Sequence, residues 1–247
     1  MSQDEQGYFN TQDLISLPDG PLLQITKECE HNRYNEKGWR NHKNLWRSSM
    51  MLDDTHDKTI IDYGCGFGME SLQLAKTGNR MILCDILQSN IALAKRILEL
   101  HGFSPLDTVH ATIDSPFFTT RHPIDIFYSN GVMHHTPYFR EILTQATRMM
   151  HAKSEIRLWL YSDIRWQSVS GDSQCDPHMD ITQHPCFAKF VYVQDGAGVY
   201  ADWYNLERFL YRVGDLFKVT FCQYISDGIG FVIHARPKPL SLLGELL

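Results

Sequence analysis

The sequence of 247 residues holds no apolar run approaching the roughly 20 residues a bilayer-spanning helix needs, so no membrane association is expected. Its first residues, Met1 to Tyr8, are polar and acidic, which is not the pattern of a secretory signal. Cysteine is sparse and scattered, at Cys29, Cys65, Cys84, Cys175, Cys186 and Cys222. Cys65 and Cys84 fall in or beside apolar runs, so the usage is that of a reduced, cytoplasmic protein rather than a disulfide framework. Positive charge is also short, with 23 Lys and Arg against 29 Asp and Glu and a formal net charge of −6. The one modest basic stretch, Arg33, Arg40, Lys43 and Arg47, is flanked by acidic residues and reads as a solvated helix face. A nucleic-acid partner is therefore not expected. No repeat and no low-complexity tract is present. What is there, 43% hydrophobic and 21% charged residues, is ordinary globular composition. The length suffices for one large α/β domain or a core with a cap.

From Thr59 onward, strand and helix patterns alternate. Thr59 to Tyr63 is a short β-branched run that ends on glycines, as a strand buried on both faces does. Glu70 to Lys76 reads as a helix, Met81 to Asp85 as a second strand, and Ile91 to Leu100 as a helix capped by Ser89 or Asn90. A weaker third strand is expected over Val109 to Ile113 and a fourth over Ile124 to Ser129. Thr136 and Pro137 open a helix whose buried face runs through Phe139, Ile142, Leu143, Ala146, Met149 and Met150. Ile156 to Tyr161 is a fifth strand. Strands separated by helices imply a parallel sheet with right-handed crossovers. After a last helix, Leu206 to Val213, the runs Lys218 to Ile225 and Gly230 to Ala235 are separated only by Ser226 to Ile229. That is too short for a helical crossover, so they should pair antiparallel. Residues 1–57 precede the sheet as a helical extension. Residues 58–247 form the main domain, with 162–204 inserted as a cap.

The sharpest motif is Asp62-Tyr63-Gly64-Cys65-Gly66-Phe67-Gly68, set between a buried strand and a helix. Glycines there allow a tight turn and let a ligand lie against the main chain, and the helix N-terminus supplies free N–H groups. A nicotinamide site would show G-x-G-x-x-G. Here the order is D-x-G-x-G-x-G, and an acidic strand end suits an amine-bearing cationic ligand better than a pyrophosphate. Asp85 ends the second strand, where a carboxylate can accept hydrogen bonds from ribose hydroxyls.

Asp62 through Gly68 resembles the first motif of class I S-adenosylmethionine-dependent methyltransferases. The resemblance runs from residue 59 to about 161 and includes the terminal hairpin. It implies a Rossmann-like α/β fold: a seven-stranded, mostly parallel sheet with an antiparallel C-terminal hairpin. It implies S-adenosylmethionine as cofactor, held by Asp62, Gly64, Cys65, Gly66 and Gly68 at the methionine part and by Asp85 at the ribose, with Ile86 also among the cofactor contacts. It further assigns Asp114 to the adenine amino group, with Ile113 and Ser115 flanking the ring. No metal is expected. The spacing of Cys175, His178, His184 and Cys186 matches no familiar zinc pattern, and cytosolic loops often hold such residues without metal.

Ser129 to Thr136 leaves the fourth strand at the end of the sheet where ligands bind in open α/β folds. It resembles the corresponding segment of small-molecule methyltransferases of the quinone-biosynthesis type, which often carry a His-His pair. Asn130 and Gly131 would then lie beside the cofactor. His134 or His135 could accept a proton from a hydroxyl or an activated carbon, or could merely fix the loop. The 162–204 segment, rich in aromatics, is expected to cover the acceptor. Tyr34, Trp39, Tyr200, Asp202, Tyr204 and Asn205 are its candidate walls, although aromatic composition equally describes an ordinary packed cap. No D/N-P-P-Y/F sequence of the kind common in nucleobase-amine methyltransferases follows the fourth strand. The expected activity is methyl transfer to a small-molecule oxygen or carbon. The alternatives are an RNA or protein methyltransferase and a non-catalytic cofactor-binding subunit. A nicotinamide oxidoreductase is disfavoured by the glycine spacing and by the hairpin.

Overall fold

The computed structural model describes residues 11–34, 45–112, 117–196 and 198–239. Seven strands form one sheet in the order β3-β2-β1-β4-β5-β7-β6. The chain divides into two compact units, Met1–Ile126 and Phe127–Leu247.

In the first unit, β1 (Thr59–Tyr63), β2 (Arg80–Asp85) and β3 (Asp107–His110) are parallel, with Ile61 opposite Ile82 and Leu83 opposite Thr108. Every residue of β1 is buried, which is why its sequence runs apolar without alternation. β3 starts two residues earlier than expected, and residues 113–116 lie outside the described residues. α4 (Met69–Lys76) and α5 (Gln88–Leu100) are the connecting helices. α5 begins before the expected Ser89 or Asn90 cap: Leu87 occupies the cap position, and its N–H donates to Asp85 Oδ1 at 2.9 Å. No side chain caps the first turn of α5; the strand-end carboxylate holds the amide of the cap residue instead. α1 (Thr11–Ile15) and α2 (Asp19–Tyr34) pack against α5. Arg96 of α5 fixes them, donating to the Leu17 carbonyl at 2.6 Å and to Asp19 Oδ1 at 2.9 Å. The short α3 (Trp46–Ser49) follows.

Arg33 departs from the expected solvated face. It is only 4% exposed, because Phe67 and Glu70, distant in sequence, enclose it.

β4 (Ile124–Asn130) bridges the unit boundary. In the second unit, α6 (Phe139–Thr147) buries Phe139, Ile142, Leu143 and Ala146, as the helical spacing requires. Met149 and Met150 extend the apolar pattern but not the helix, since Met150 already begins β5 (Met150–Tyr161). Apolar periodicity marks a buried face and does not show where backbone hydrogen bonding changes partner. β7 (Gly230–Pro237) lies antiparallel between β5 and β6 (Phe217–Ile225), with Leu158 opposite Ile233 and Cys222 opposite Ile233 on the other edge. The hairpin turn places Ser226 and Asp227 at φ of 54° and 55°, the left-handed geometry that follows strand twist.

The 162–204 segment folds into α7 (Asp163–Ser170), a single 3-10 turn at Ile181–Gln183, and α8 (Phe187–Asp195). It has its own core of Trp166, Val169, Ile181, Phe190, Val191, Ala201 and Trp203. α9 (Leu206–Val213) follows, capped by Asn205, whose Oδ1 accepts from Arg208 N at 2.9 Å.

Candidate functional site

The first unit carries the glycine loop. β1 ends at Tyr63, and the next two amides, Gly64 N–H and Cys65 N–H, both donate to the Cys84 carbonyl at 2.8 and 3.0 Å. This turns the chain sharply off the sheet. Gly64, Gly66 and Gly68 all have positive φ, at 83°, 51° and 84°, so the spacing of the motif is a spacing of left-handed backbone positions.

The last two glycines are needed for different reasons. A side chain on Gly68 would stand 2.8 Å from Ala94 Cβ, so this glycine lets α4 approach α5. A side chain on Gly66 would meet nothing within 4 Å. The face of Gly66 is thus an open cradle of main chain, the shape a bound ligand requires.

Asp85 is joined to that cradle. Gly66 N–H donates to its Oδ2 at 2.9 Å, while Leu87 N–H and Asn90 Nδ2 donate to Oδ1 at 2.9 and 3.1 Å. Three of the about four lone-pair positions of a carboxylate are then taken. Next to them, the buried Asn90 Oδ1 has no hydrogen-bond partner among the described residues. A buried acceptor without a donor is costly, and a hydroxyl-bearing ligand at this position would relieve it. Asn90 was legible in the sequence only as a helix cap. Ile86, next in the chain, keeps 43% of its surface exposed, an apolar face at the strand end suited to a flat ring. Asp62 is 2% exposed and accepts from Ser71 Oγ of α4 at 2.5 Å. Burial raises the pKa of the Cys65 thiol well above the ordinary range, so Cys65 is not a nucleophile here. Ile113, Asp114 and Ser115 lie outside the described residues.

An open glycine cradle, a strand-end carboxylate and an orphaned acceptor beside it fit the main-chain, ribose and hydroxyl contacts that S-adenosylmethionine requires. Tyr34 of α2 donates to Glu70 Oε1 at 3.3 Å in the same unit. Trp39 lies outside the described residues.

The second unit carries the histidine pair. Gly131, at φ 75°, donates to the Trp159 carbonyl at 3.1 Å and faces the Trp159 ring, where a side chain would come within 3.3 Å. The 3-10 turn Met133–His135 follows. The two histidines differ. His134 is fully buried, and its Nδ1 accepts from Tyr161 N–H at 3.2 Å, so the proton of the neutral ring sits on Nε2. Its Nε2 has no partner among the described residues. Burial, and then the neighbouring His135, hold its pKa well below the usual histidine value. His135 has the opposite arrangement. Its Nδ1 lies 3.3 Å from the Tyr200 carbonyl, which requires a donor there and makes Nε2 the basic nitrogen. The Tyr161 ring stands edge-on to it at 5.4 Å.

The expected wall residues divide by burial. Tyr204 is fully buried in packing, as are Trp166, Phe190 and Trp203 of the same 162–204 segment. Tyr204 stacks on Phe139 at 4.6 Å. Asp202 is fully buried, holding Arg208 at 2.8 Å and Arg212 at 3.0 Å, and its own N–H donates to the His134 carbonyl at 2.8 Å. Asn205 Nδ2 donates to Asp163 Oδ2 at 3.0 Å in addition to its capping bond. Arg208 also donates to the Pro177 and Met179 carbonyls at 3.0 and 2.9 Å, tying the cap loop to α9. Arg208 did not stand out in the sequence, where an arginine on an amphipathic helix reads as surface. Tyr200 is half-buried beside His135. Its hydroxyl donates to Asp202 Oδ2 at 3.4 Å, and burial raises its pKa. Among the described residues no three His, Cys, Asp or Glu side chains come together as a metal site. His184 pairs with Asp172, and Cys186 points to the Ser170 carbonyl.

A family model described as a methyltransferase domain matches residues 54–184, more than half of the chain. Protein arginine N-methyltransferase 1 of Saccharomyces cerevisiae is 29% identical over 104 residues, 42% of this chain, and the match spans 26% of that protein's length. Among solved structures, an S-adenosylmethionine-dependent methyltransferase from Mesorhizobium loti aligns with a TM-score of 0.59 at 13% identity, covering 78% of this chain and 97% of that one. One from Listeria monocytogenes aligns at 0.57 and 15%, covering 79% and 97%. The magnesium protoporphyrin IX methyltransferase of Synechocystis PCC 6803, crystallised with S-adenosylmethionine, aligns at 0.53 and 12%, covering 92% and 89%. At these identities the structures speak for the fold, the seven-stranded sheet with its antiparallel hairpin. The glycine loop, the sheet order and the matched family together place the chain in the methyltransferase-domain family, as an S-adenosylmethionine-dependent methyltransferase.

Proposed function

We propose that the enzyme methylates a small molecule on oxygen or on an activated carbon, with His135 as the general base. The observation that carries this reading is the tautomer of His135: the Tyr200 carbonyl holds Nδ1 as donor and leaves Nε2 basic, next to the Tyr161 ring. Bound S-adenosylmethionine supplies an electrophilic sulfonium methyl. His135 Nε2 takes the proton that an acceptor hydroxyl or carbon acid loses as it becomes a nucleophile. His134 cannot share that task, because its basic position is already occupied by Tyr161 N–H and its pKa is depressed. Its part is to hold the loop. The half-buried Tyr200 and Tyr161 are the substrate-facing residues of this reading. Asp202, Tyr204 and Asn205 shape the wall from behind, through the contacts described above.

On the cofactor side, Gly64, Cys65 and Gly66 form the cradle for the methionine part, and Asp85 with Asn90 receives the ribose hydroxyls. Ile86 packs on the adenine, with Ile113, Asp114 and Ser115 beside it. Asp62 and Gly68 fix the loop. A second reading, a protein arginine acceptor, follows from the identity to the yeast protein. A guanidinium acceptor calls for carboxylates, and Asn130 to Thr136 contains none.

The test is His135→Asn. Cofactor affinity by calorimetry should stay nearly intact, and turnover on small hydroxyl or carbon-acid acceptors should fall by about 100-fold, the scale of a lost general base. Undiminished turnover would remove the base. Methylation of arginine peptides with no turnover of small acceptors would replace the acceptor class.

A further inference from the structure

We propose that Arg212 binds a carboxylate of the methyl acceptor, so that the substrate is a small organic acid; the assignment rests on the reading of His135 as base for a small acceptor. Charge is in surplus around Asp202. Arg208 alone reaches both oxygens of this fully buried carboxylate, with Nη2 at 2.8 Å from Oδ1 and 3.1 Å from Oδ2 and Nε at 3.2 Å from Oδ1. Trp203 N–H donates to Oδ1 at 2.8 Å, and the Tyr200 hydroxyl donates to Oδ2 at 3.4 Å. Those bonds fill the about four lone-pair positions of a carboxylate. Arg212 nevertheless donates to Oδ2 as well, from Nη2 at 3.0 Å. Two arginines on one aspartate leave one positive charge without a counter-ion.

The neighbouring described groups do not cancel that charge. Burial raises the pKa of the Tyr200 and Tyr204 hydroxyls, so both stay neutral. Asp180 is exposed, where water and salt screen it, and its Oδ1 accepts from Thr182. Arg140, whose Nη1 donates to the Arg212 carbonyl at 2.7 Å, is itself held by Asp215. Arg212 lies in the last turn of α9 with its side chain 28% exposed, and its buried Nε has no partner among the described residues. An orphaned donor on a cation is costly, and a carboxylate oxygen from a ligand relieves it through a charge-assisted bond. Tyr200 ties this arginine to the base: its hydroxyl faces Arg212, and its carbonyl accepts from His135 Nδ1 at 3.3 Å. One tyrosine thus separates the anion contact from the base, a span that a small acid can bridge. Because a single charge is in surplus, a carboxylate fits and a dianionic phosphate does not.

The test is calorimetry on the full chain saturated with S-adenosylhomocysteine, with benzoate, benzamide and phenyl phosphate as probes. The probes carry a ring because Tyr161 stands edge-on to His135 and Phe187 to Tyr200. Benzoate should bind about 10-fold tighter than benzamide, the scale of a hydrogen bond to a charged group, and tighter than phenyl phosphate. Arg212→Gln should abolish the preference for benzoate. Arg212→Lys, which keeps the charge without the planar fork, should retain part of it. Equal affinities for benzoate and benzamide, or no detectable benzoate binding, would overturn the proposal, and tighter binding of phenyl phosphate would remove the carboxylate from it. A preference that survives Arg212→Gln would mean that Arg212 only braces Tyr200. Should the variants fail to fold, the wild-type comparison decides alone. Turnover enters none of these measurements, so loss of His135 as base, seen in kcat, is told apart from loss of the acid site.

Discussion

Gly66 shows how much one backbone position can decide. Its φ of 51° disfavours any side chain, and the space beyond it is open. Gly66→Val should therefore leave a folded protein that binds S-adenosylmethionine too weakly for calorimetry to detect, because the branched side chain fills the cradle. Unchanged affinity in the folded variant would remove the glycine loop from the cofactor site. His134 makes a different prediction. Its folded pKa lies below its unfolded value of 6.5, owing to burial and then to His135. The unfolded chain therefore binds a proton that the folded chain refuses. The stability this represents is complete above pH 6.5 and is lost as the pH falls below it, at up to about 1.4 kcal/mol per pH unit. In His134→Gln that loss should disappear, while the amide oxygen still accepts from Tyr161 N–H. Urea midpoints of both proteins from pH 7 to pH 5 test this, and parallel curves would contradict it.

Among the elements, α9 and the cap stand or fall together. Asp202 and Arg208 are fully buried and paired at 2.8 Å, and Arg208 also reaches the Pro177 and Met179 carbonyls. Removing one member of such a pair strands the other charge away from water. Arg208→Met should cost about 3–5 kcal/mol in urea unfolding and expose the 171–186 loop to protease. A loss below about 1 kcal/mol, the scale of a surface pair, would show that solvent reaches Asp202. The helix itself was legible in the sequence, through Leu206, Phe209, Leu210 and Val213 and the following Gly214. The pairing was not. Asp202 looked like a candidate substrate contact because an acidic residue among aromatics can line a pocket or close an ion pair equally well. Only its partners decide which, and the partners, Arg208 and Arg212, come from α9. Arg33 was misread for the same reason: helical periodicity assigned it a face but could not show that Phe67 and Glu70 lie over that face.

For the whole molecule, the six cysteines offer a global check on burial. Cys29, Cys65 and Cys84 are buried, Cys175 and Cys186 half-buried and Cys222 exposed. Burial also raises the pKa of the Cys65 and Cys84 thiols, keeping them protonated and unreactive. Native-state alkylation followed by mass spectrometry should label Cys222 first and leave Cys65 and Cys84 unmodified until denaturant is added. Early labelling of Cys65 would mean the glycine loop opens. No helix of the described residues is long and apolar enough to cross a membrane. The sequence by itself determined the fold class and the cofactor. Buried strands, glycine spacing and a connection too short for a crossover are local signals, written within a few residues of one another. The seven-stranded sheet and its terminal hairpin follow from them. Tertiary structure alone decided the protonation pattern of the two histidines, the partners of Asp202 and the burial of Arg33. Each depends on which distant group supplies a hydrogen bond or excludes water, and identical side chains a residue apart, such as His134 and His135, acquire opposite chemistry from those neighbours.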